Sequence, residues 1–134
     1  MKRAFFLGMC TLLLGVAVWA QSDADYQAWM KSNGAAVASL NKNIAAKSGD
    51  AAAMDAKTLQ ANFTKITAYW QAKNVSDAVK FSQDAGSGFG QVADLAAAGK
   101  FDDAAAAVKT AQASCGGCHM AHRQRNADGT FSFK

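Results

Sequence analysis

Proline is absent from all 134 residues of this chain. Because proline breaks the hydrogen-bond ladder of a helix interior, its absence leaves long helices free to form. The chain is also rich in alanine, which has the highest helix propensity, and poor in runs of valine, isoleucine and threonine. The sequence therefore predicts an all-α chain.

Turn-forming residues near Gly49, Asn74 and Gly99 divide the helical stretch into four segments. The predicted helices run over about 23–47, 51–73, 76–98 and 101–125. Each segment repeats apolar residues at helical spacing, which marks the face that packs into a core. We expect an antiparallel up-down-up-down four-helix bundle, with the chemistry near the end of the last helix.

Three glycines, Gly86, Gly88 and Gly90, interrupt the third predicted helix. Glycine costs about 1 kcal/mol relative to alanine in a helix interior. We expect close packing against the alanine-rich stretch 104–107 to offset this cost, and a local break in the helix is the alternative.

The tail, residues 126–134, does not continue the helical pattern. It carries a turn signal at Asp128-Gly129. The alternating stretch 130–133 is typical of a short strand, for which the sequence indicates no partner.

The first 20 residues have the features of a secretory signal peptide. Two positive residues precede the apolar run 4–18, and Ala20 provides the small residue that the cleavage site needs. The run, at roughly 15 residues, is shorter than the ~20 of a spanning helix. We therefore expect removal of 1–20, one domain over 21–134 and no membrane segment afterwards. An uncleaved anchor and a lipid anchor on Cys10 are the alternatives.

The charge balance excludes one class of partner. Two of the 14 basic residues lie in the predicted signal peptide, so 14 − 2 = 12 remain against 10 acidic residues. A net charge of +2 is too small to indicate nucleic-acid binding.

The sequence Cys115-Gly116-Gly117-Cys118-His119 carries the chemistry. This C-x-x-C-H pattern is typical of covalent haem attachment. On a helix, positions i and i+3 share a face, so both thiols can reach the vinyl groups of one porphyrin. His119 at i+4 is then an axial ligand of the iron. An exported chain fits this prediction, because haem c is attached outside the cytoplasm.

Three other sites contain the same residue types. A redox dithiol would follow a strand, and none is predicted before the motif. A zinc site formed by the two cysteines with His119 or His122 would lack a second ligand pair. A Cys115–Cys118 disulfide would leave His119 without a role.

The position of the motif indicates a family. The stretch Ala113-Ser114-Cys115-Gly116-Gly117-Cys118-His119-Met120-Ala121-His122-Arg123, in the last of four helices, resembles the class II cytochromes c, the cytochrome c prime family. The family often has tyrosine where this chain has His122. The resemblance implies a periplasmic four-helix bundle with one haem c, and it implies that homodimers can form through the first two helices.

Met30 is the candidate for the sixth position on the iron. In an up-down-up-down bundle the start of the first helix lies beside the end of the fourth. At about 1.5 Å per residue, Met30 lies roughly 10.5 Å and His119 roughly 9 Å from that end. The stretch Met30-Lys31-Ser32-Asn33-Gly34 also resembles the low-spin members, in which such a methionine binds iron. The alternative is that Met30 packs in the core.

Further residues are expected around the haem. Arg123 is a candidate partner of the haem carboxylates. His122 is expected to be exposed, and the alternatives are that it replaces His119 as ligand or meets a haem carboxylate. The other candidates form an apolar wall that is also expected to belong to the core. They are Phe63, Ile66, Trp70 and Val79.

Ligation by Met30 and His119 would raise the reduction potential and leave no open position on the iron. The chain contains no glutamate, and no carboxylate pair lies near the motif, so catalysis is not indicated. We therefore expect a periplasmic electron carrier whose partners are other redox proteins. The alternative is a five-coordinate, cytochrome c prime-like protein that binds NO or CO.

Overall fold

The chain forms four helices followed by a short β-hairpin. The structure, a computed structural model, describes residues 21–134, so the predicted signal peptide and Cys10 lie outside it. In chain order the elements are α1 (Asp23–Ala45), α2 (Gly49–Ala72), α3 (Ser76–Ala97), α4 (Phe101–His122), β1 (Arg123–Arg125) and β2 (Phe131–Phe133). The predicted four helices are confirmed, and a hairpin is added to them.

None of the four described helices carries an apolar stretch that would cross a lipid bilayer.

Local chemistry explains where the helices begin and end. At the start of α1 the Ser22 hydroxyl accepts a hydrogen bond from the Asp25 backbone, and the Asp25 carboxylate accepts one from the Ser22 backbone. This capping box satisfies two N–H groups that have no partner inside the helix. Lys47, Asn74 and Gly99 adopt left-handed backbone angles just after α1, α2 and α3. The predicted turns therefore lie within a few residues of the observed ones.

Two predictions about the end of the chain were wrong. The fourth helix ends at His122 rather than 125, and the strand at the terminus is paired. Arg123 is already extended, with φ −117° and ψ 133°, and its strand pairs antiparallel with Phe131–Phe133. The left-handed Gly129, with φ +84°, reverses the chain between the two strands. The pairing partner is therefore the segment that was predicted as helix.

Contacts between helix ends give the directions of neighbouring helices. The Tyr69 hydroxyl near the end of α2 donates to Asp23 at the start of α1, at 2.5 Å. His122 at the end of α4 lies 2.9 Å from the Asp77 carboxylate at the start of α3. α1 and α2 therefore run in opposite directions, as do α3 and α4, which is consistent with a four-helix bundle. α1 and α4 touch at only a few points, which leaves space between them.

The glycines of α3 permit close helix contact, although not where it was predicted. α3 is unbroken. A Cβ on Gly88 would lie 2.8 Å from the Cβ of Ala111, and one on Gly86 would lie 3.2 Å from the Cβ of Phe63. Because α3 and α4 fold back on each other at Gly99, Gly88 is level with Ala111 rather than with the stretch 104–107.

Candidate cofactor site

A cavity of about 460 Å³ is lined by side chains from all four helices. One wall is formed by the C-x-x-C-H motif at the end of α4, and α1 contributes Met30, Asn33 and Val37. The structure brings seven of the nine predicted site residues to this cavity, which are Met30, Phe63, Ile66, Cys115, Cys118, His119 and Arg123.

The two remaining candidates lie elsewhere. Trp70 lines a smaller neighbouring cavity of about 60 Å³. Val79 is half-buried against the core and lines neither cavity. α3 presents Phe81 to the larger cavity instead. The spacing of Phe81 from the buried Ala85 and Phe89, four residues each, is the helical signal that identifies this face.

The two thiols share one face of α4. Both are free, Cys118 is buried and Cys115 is half-buried. Burial raises the pKa of each thiol to about 11, with neighbouring negative groups as a smaller cause. Catalytic dithiols instead have a lowered pKa that favours the thiolate. The motif also follows helical turns rather than a strand. The site therefore differs from a redox dithiol both in the pKa of its thiols and in the element that precedes it.

His119 and Met30 belong to different helices and line the same two cavities. Burial, and then the charge of Arg123, lower the pKa of His119. The lowered pKa favours the neutral imidazole, which is the form that binds a metal. Because α4 ends at His122, His119 is only one turn from the helix end. The predicted distance of His119 from the end of α4, roughly 9 Å, was therefore too long.

The two glycines of the motif have different surroundings. A Cβ on Gly117 would lie 2.7 Å from Cε1 of Phe81, whereas a Cβ on Gly116 would meet nothing within 4 Å. Phe81 also lines the larger cavity. Gly117 therefore allows the Phe81 ring to pack directly on the motif.

His122 was predicted to be exposed, and this prediction was wrong. Its side chain is only 17% exposed because the ring lies between Asp77 and Trp70. The Trp70 and His122 ring centroids are 5.4 Å apart. Over residues 21–134 no three histidine, cysteine, aspartate or glutamate side chains gather as a metal site would require. The three or four protein ligands of a zinc site are thus not brought together here.

In the part of the chain that the structure describes, two buried N–H donors at the cavities have no hydrogen-bond partner. They are Nδ2 of Asn33, which lines the larger cavity, and Nε1 of Trp70, which lines the smaller one. Asn62 donates to Oδ1 of Asn33 at 2.9 Å and fixes the orientation of its amide. An unpaired buried donor costs about 1–3 kcal/mol, so a group that accepts hydrogen bonds is expected in this region.

These residues fit a large apolar cofactor with a few polar atoms. The larger cavity is within the roughly 300–1,000 Å³ of small-molecule and cofactor sites. Its walls combine aromatic and aliphatic side chains with two thiols, one imidazole, one thioether and one guanidinium. The chain matches no protein-family model, no curated protein sequence and no solved structure.

Proposed function

We propose that this chain is an exported mono-haem c-type cytochrome that transfers electrons. Haem c is bound through thioethers to Cys115 and Cys118 and through the imidazole of His119. The observation that carries the proposal is the position of the C-x-x-C-H motif along one wall of the 460 Å³ cavity, with Met30 on another helix of the same cavity.

The thiols are suited to covalent attachment. They are one helical turn apart on the cavity side of α4 and are protonated at neutral pH, since burial raises the pKa of each to about 11. Cys115 and Cys118 would hold the haem by thioether bonds, each S–H adding across one vinyl group so that its proton goes to the other vinyl carbon. The i, i+3 spacing allows two such bonds to one porphyrin.

The same cavity suggests which residues would hold the iron. His119 on α4 and Met30 on α1 both line it and would be the ligands. When bound, the haem would supply a one-electron redox centre, and ligation by Met30 and His119 would raise its potential and leave no open position on the iron. Phe63 and Ile66 line the cavity and exclude water, which also tunes the potential. Such a site favours electron transfer over catalysis.

The proposal also includes a cytochrome class and a cellular location. The layout resembles the low-spin class II cytochromes c in an up-down-up-down bundle, and the contacts between helix ends support that topology. The predicted signal peptide supports export to the periplasm, where other redox proteins are the partners. No nucleic acid is involved. Homodimers through α1 and α2 are implied by the resemblance alone.

One observation favours a second candidate, a five-coordinate cytochrome c prime-like protein that binds NO or CO. The unpaired Nδ2 of Asn33 lies one helical turn from Met30 on α1. A donor at this position would stabilise a small polar ligand on the iron if Met30 only packed nearby. This candidate shares the same covalent haem.

Covalent attachment is tested by expressing the full chain in a periplasm that contains the haem c maturation proteins. We expect the mature protein to gain the mass of one haem and to keep it in a denaturing gel. The double substitution Cys115→Ser with Cys118→Ser should lose the haem, and Gly116→Ala should keep it. A native chain that is exported and folded without covalent haem would contradict the proposal.

A further inference from the structure

The smaller cavity, of about 60 Å³, lies at the end of the bundle beneath the β-hairpin. It shares Met30, Cys118, His119 and Arg123 with the larger cavity, so the two adjoin. Phe133 of the hairpin lines its other side. The smaller cavity is therefore next to the proposed iron ligands. The porphyrin ring of the proposed haem would occupy the larger cavity.

An unpaired donor belongs to this cavity. Trp70 is 4% exposed, and its Nε1–H has no hydrogen-bond partner among residues 21–134. The indole nitrogen can only donate, so an acceptor must come from elsewhere. A phenylalanine would fill much of the same space without a polar atom, and the indole therefore indicates a ligand with an acceptor.

Tyr26 and Arg123 supply two further hydrogen-bond donors that line the same smaller cavity. Tyr26 is 5% exposed, and its phenol lies close enough to Trp70 and Arg123 for both to affect its ionisation. Burial, followed by the nearby Cys118, raises the pKa of Tyr26, so the phenol keeps its proton and can donate. Among the described residues no carboxylate lines this cavity, and Asp77 beside it is paired with His122.

We propose that Trp70 Nε1, the Tyr26 hydroxyl and the Arg123 guanidinium bind one carboxylate of the haem in this smaller cavity. The inference rests on the proposed function. A cavity of about 10–15 Å³ already holds one water, so 60 Å³ accommodates a carboxylate group. Trp70 then acts as a hydrogen-bond donor to the cofactor rather than only as part of an apolar wall.

The hairpin strengthens these hydrogen bonds. The ring of Phe133 lies 5.0 Å from that of Tyr26 and 5.2 Å from that of Trp70, measured between centroids. Together these rings keep bulk water from the carboxylate. Hydrogen bonds to a charged group are stronger in such a low-dielectric environment.

The direct test uses the only other tryptophan expected in the mature protein. Trp29→Phe removes a side chain that lines neither cavity and leaves Trp70 as the single indole. In the ferrous, haem-loaded variant we expect a nuclear Overhauser effect between the Trp70 indole proton and the carboxyethyl methylenes of the haem. A haem-loaded variant in which this proton contacts only protein protons overturns the inference.

A second measurement compares midpoint potentials. Trp70→Phe removes the donor and leaves more negative charge on the carboxylate, so we expect a lower potential than in the native protein. Trp29→Phe should leave the potential unchanged. Equal potentials in all three haem-loaded proteins would contradict the inference while leaving the proposed function intact. A native protein without covalent haem would instead overturn the proposed function, and this inference with it.

Discussion

Between the two cysteines, Gly116 and Gly117 occupy successive positions of α4 with different surroundings. An added Cβ is free at Gly116 but lies 2.7 Å from the Phe81 ring at Gly117. In an unobstructed helix interior, alanine in place of glycine stabilises by up to about 1 kcal/mol. Forcing extra atoms into a packed site costs about 1–3 kcal/mol.

We predict that Gly116→Ala unfolds at the same or a higher urea concentration than the native protein. Gly117→Ala should unfold at a lower concentration and retain less haem, because Phe81 must move away from the motif. Urea titrations and haem yields of the two variants check this prediction. If both variants behaved alike, the contact between Phe81 and Gly117 would not constrain the site.

Asp23 gives the fold a dependence on pH. Its carboxylate accepts a hydrogen bond from Tyr69 and pairs with Lys73 at 3.3 Å, and these contacts lower its pKa from 3.8. A group with a lowered pKa contributes stability above its unfolded value, and the contribution is lost as the pH falls through the folded pKa. Acidification below about 3.8 should therefore weaken the link between α1 and α2.

The check is a comparison of urea midpoints at pH 6 and pH 3. We expect the loss of stability on acidification to be smaller in Asp23→Asn than in the native protein. Asp94→Asn serves as the matched control, since Asp94 is exposed on α3. A loss in Asp23→Asn as large as that of the native protein would refute this role of the carboxylate.

Among the structural elements, the hairpin is the one that extends the helical bundle. Its Phe133 ring packs on Tyr26 and Trp70, while Phe131 is 44% exposed under the Arg123 guanidinium. Fully buried phenylalanines cost about 3–5 kcal/mol when replaced by alanine. Because Phe133 is half-buried, about 1–3 kcal/mol is expected for Phe133→Ala, and less than about 1 kcal/mol for Phe131→Ala.

Unfolding free energies of the two alanine variants test this difference. The larger effect at Phe133 should be accompanied by a change in the fluorescence of Trp70, measured in the haem-free protein. Equal effects at the two positions would mean that the hairpin does not pack on the bundle as described.

The helices were predictable and the hairpin was not, for physical reasons. Leu59, Phe63, Ile66 and Trp70 repeat at helical spacing and are all buried in α2. The hydrophobic pattern alone identifies such a face. The end of α4 depends instead on a strand formed by the residues of the tail, and local propensity contains no information about that pairing.

At the scale of the whole molecule, the C-x-x-C-H motif was identified from the sequence because its five residues are contiguous. Asn33 and Asn62, by contrast, meet across α1 and α2, and Trp70 joins Tyr26 and Phe133 only through the packing of three elements. Such contacts follow from tertiary pairing, so the sequence pattern did not identify Asn33 or the smaller cavity. Met30 was placed near the motif from the sequence, because its distance from the end of the bundle was inferred from the predicted helix ends. Its contacts with other helices could not be inferred in this way.

The central claim is that one haem is bound by Cys115, Cys118 and His119, with Met30 as the sixth ligand. The most direct measurement is the absorption spectrum of the haem-loaded native protein and of Met30→Ala, ferric and ferrous, with and without carbon monoxide. We predict a low-spin ferric spectrum with a weak far-red sulfur-to-iron band that disappears in Met30→Ala. A high-spin native spectrum that shifts readily with carbon monoxide would contradict ligation by Met30 and favour the gas-binding candidate.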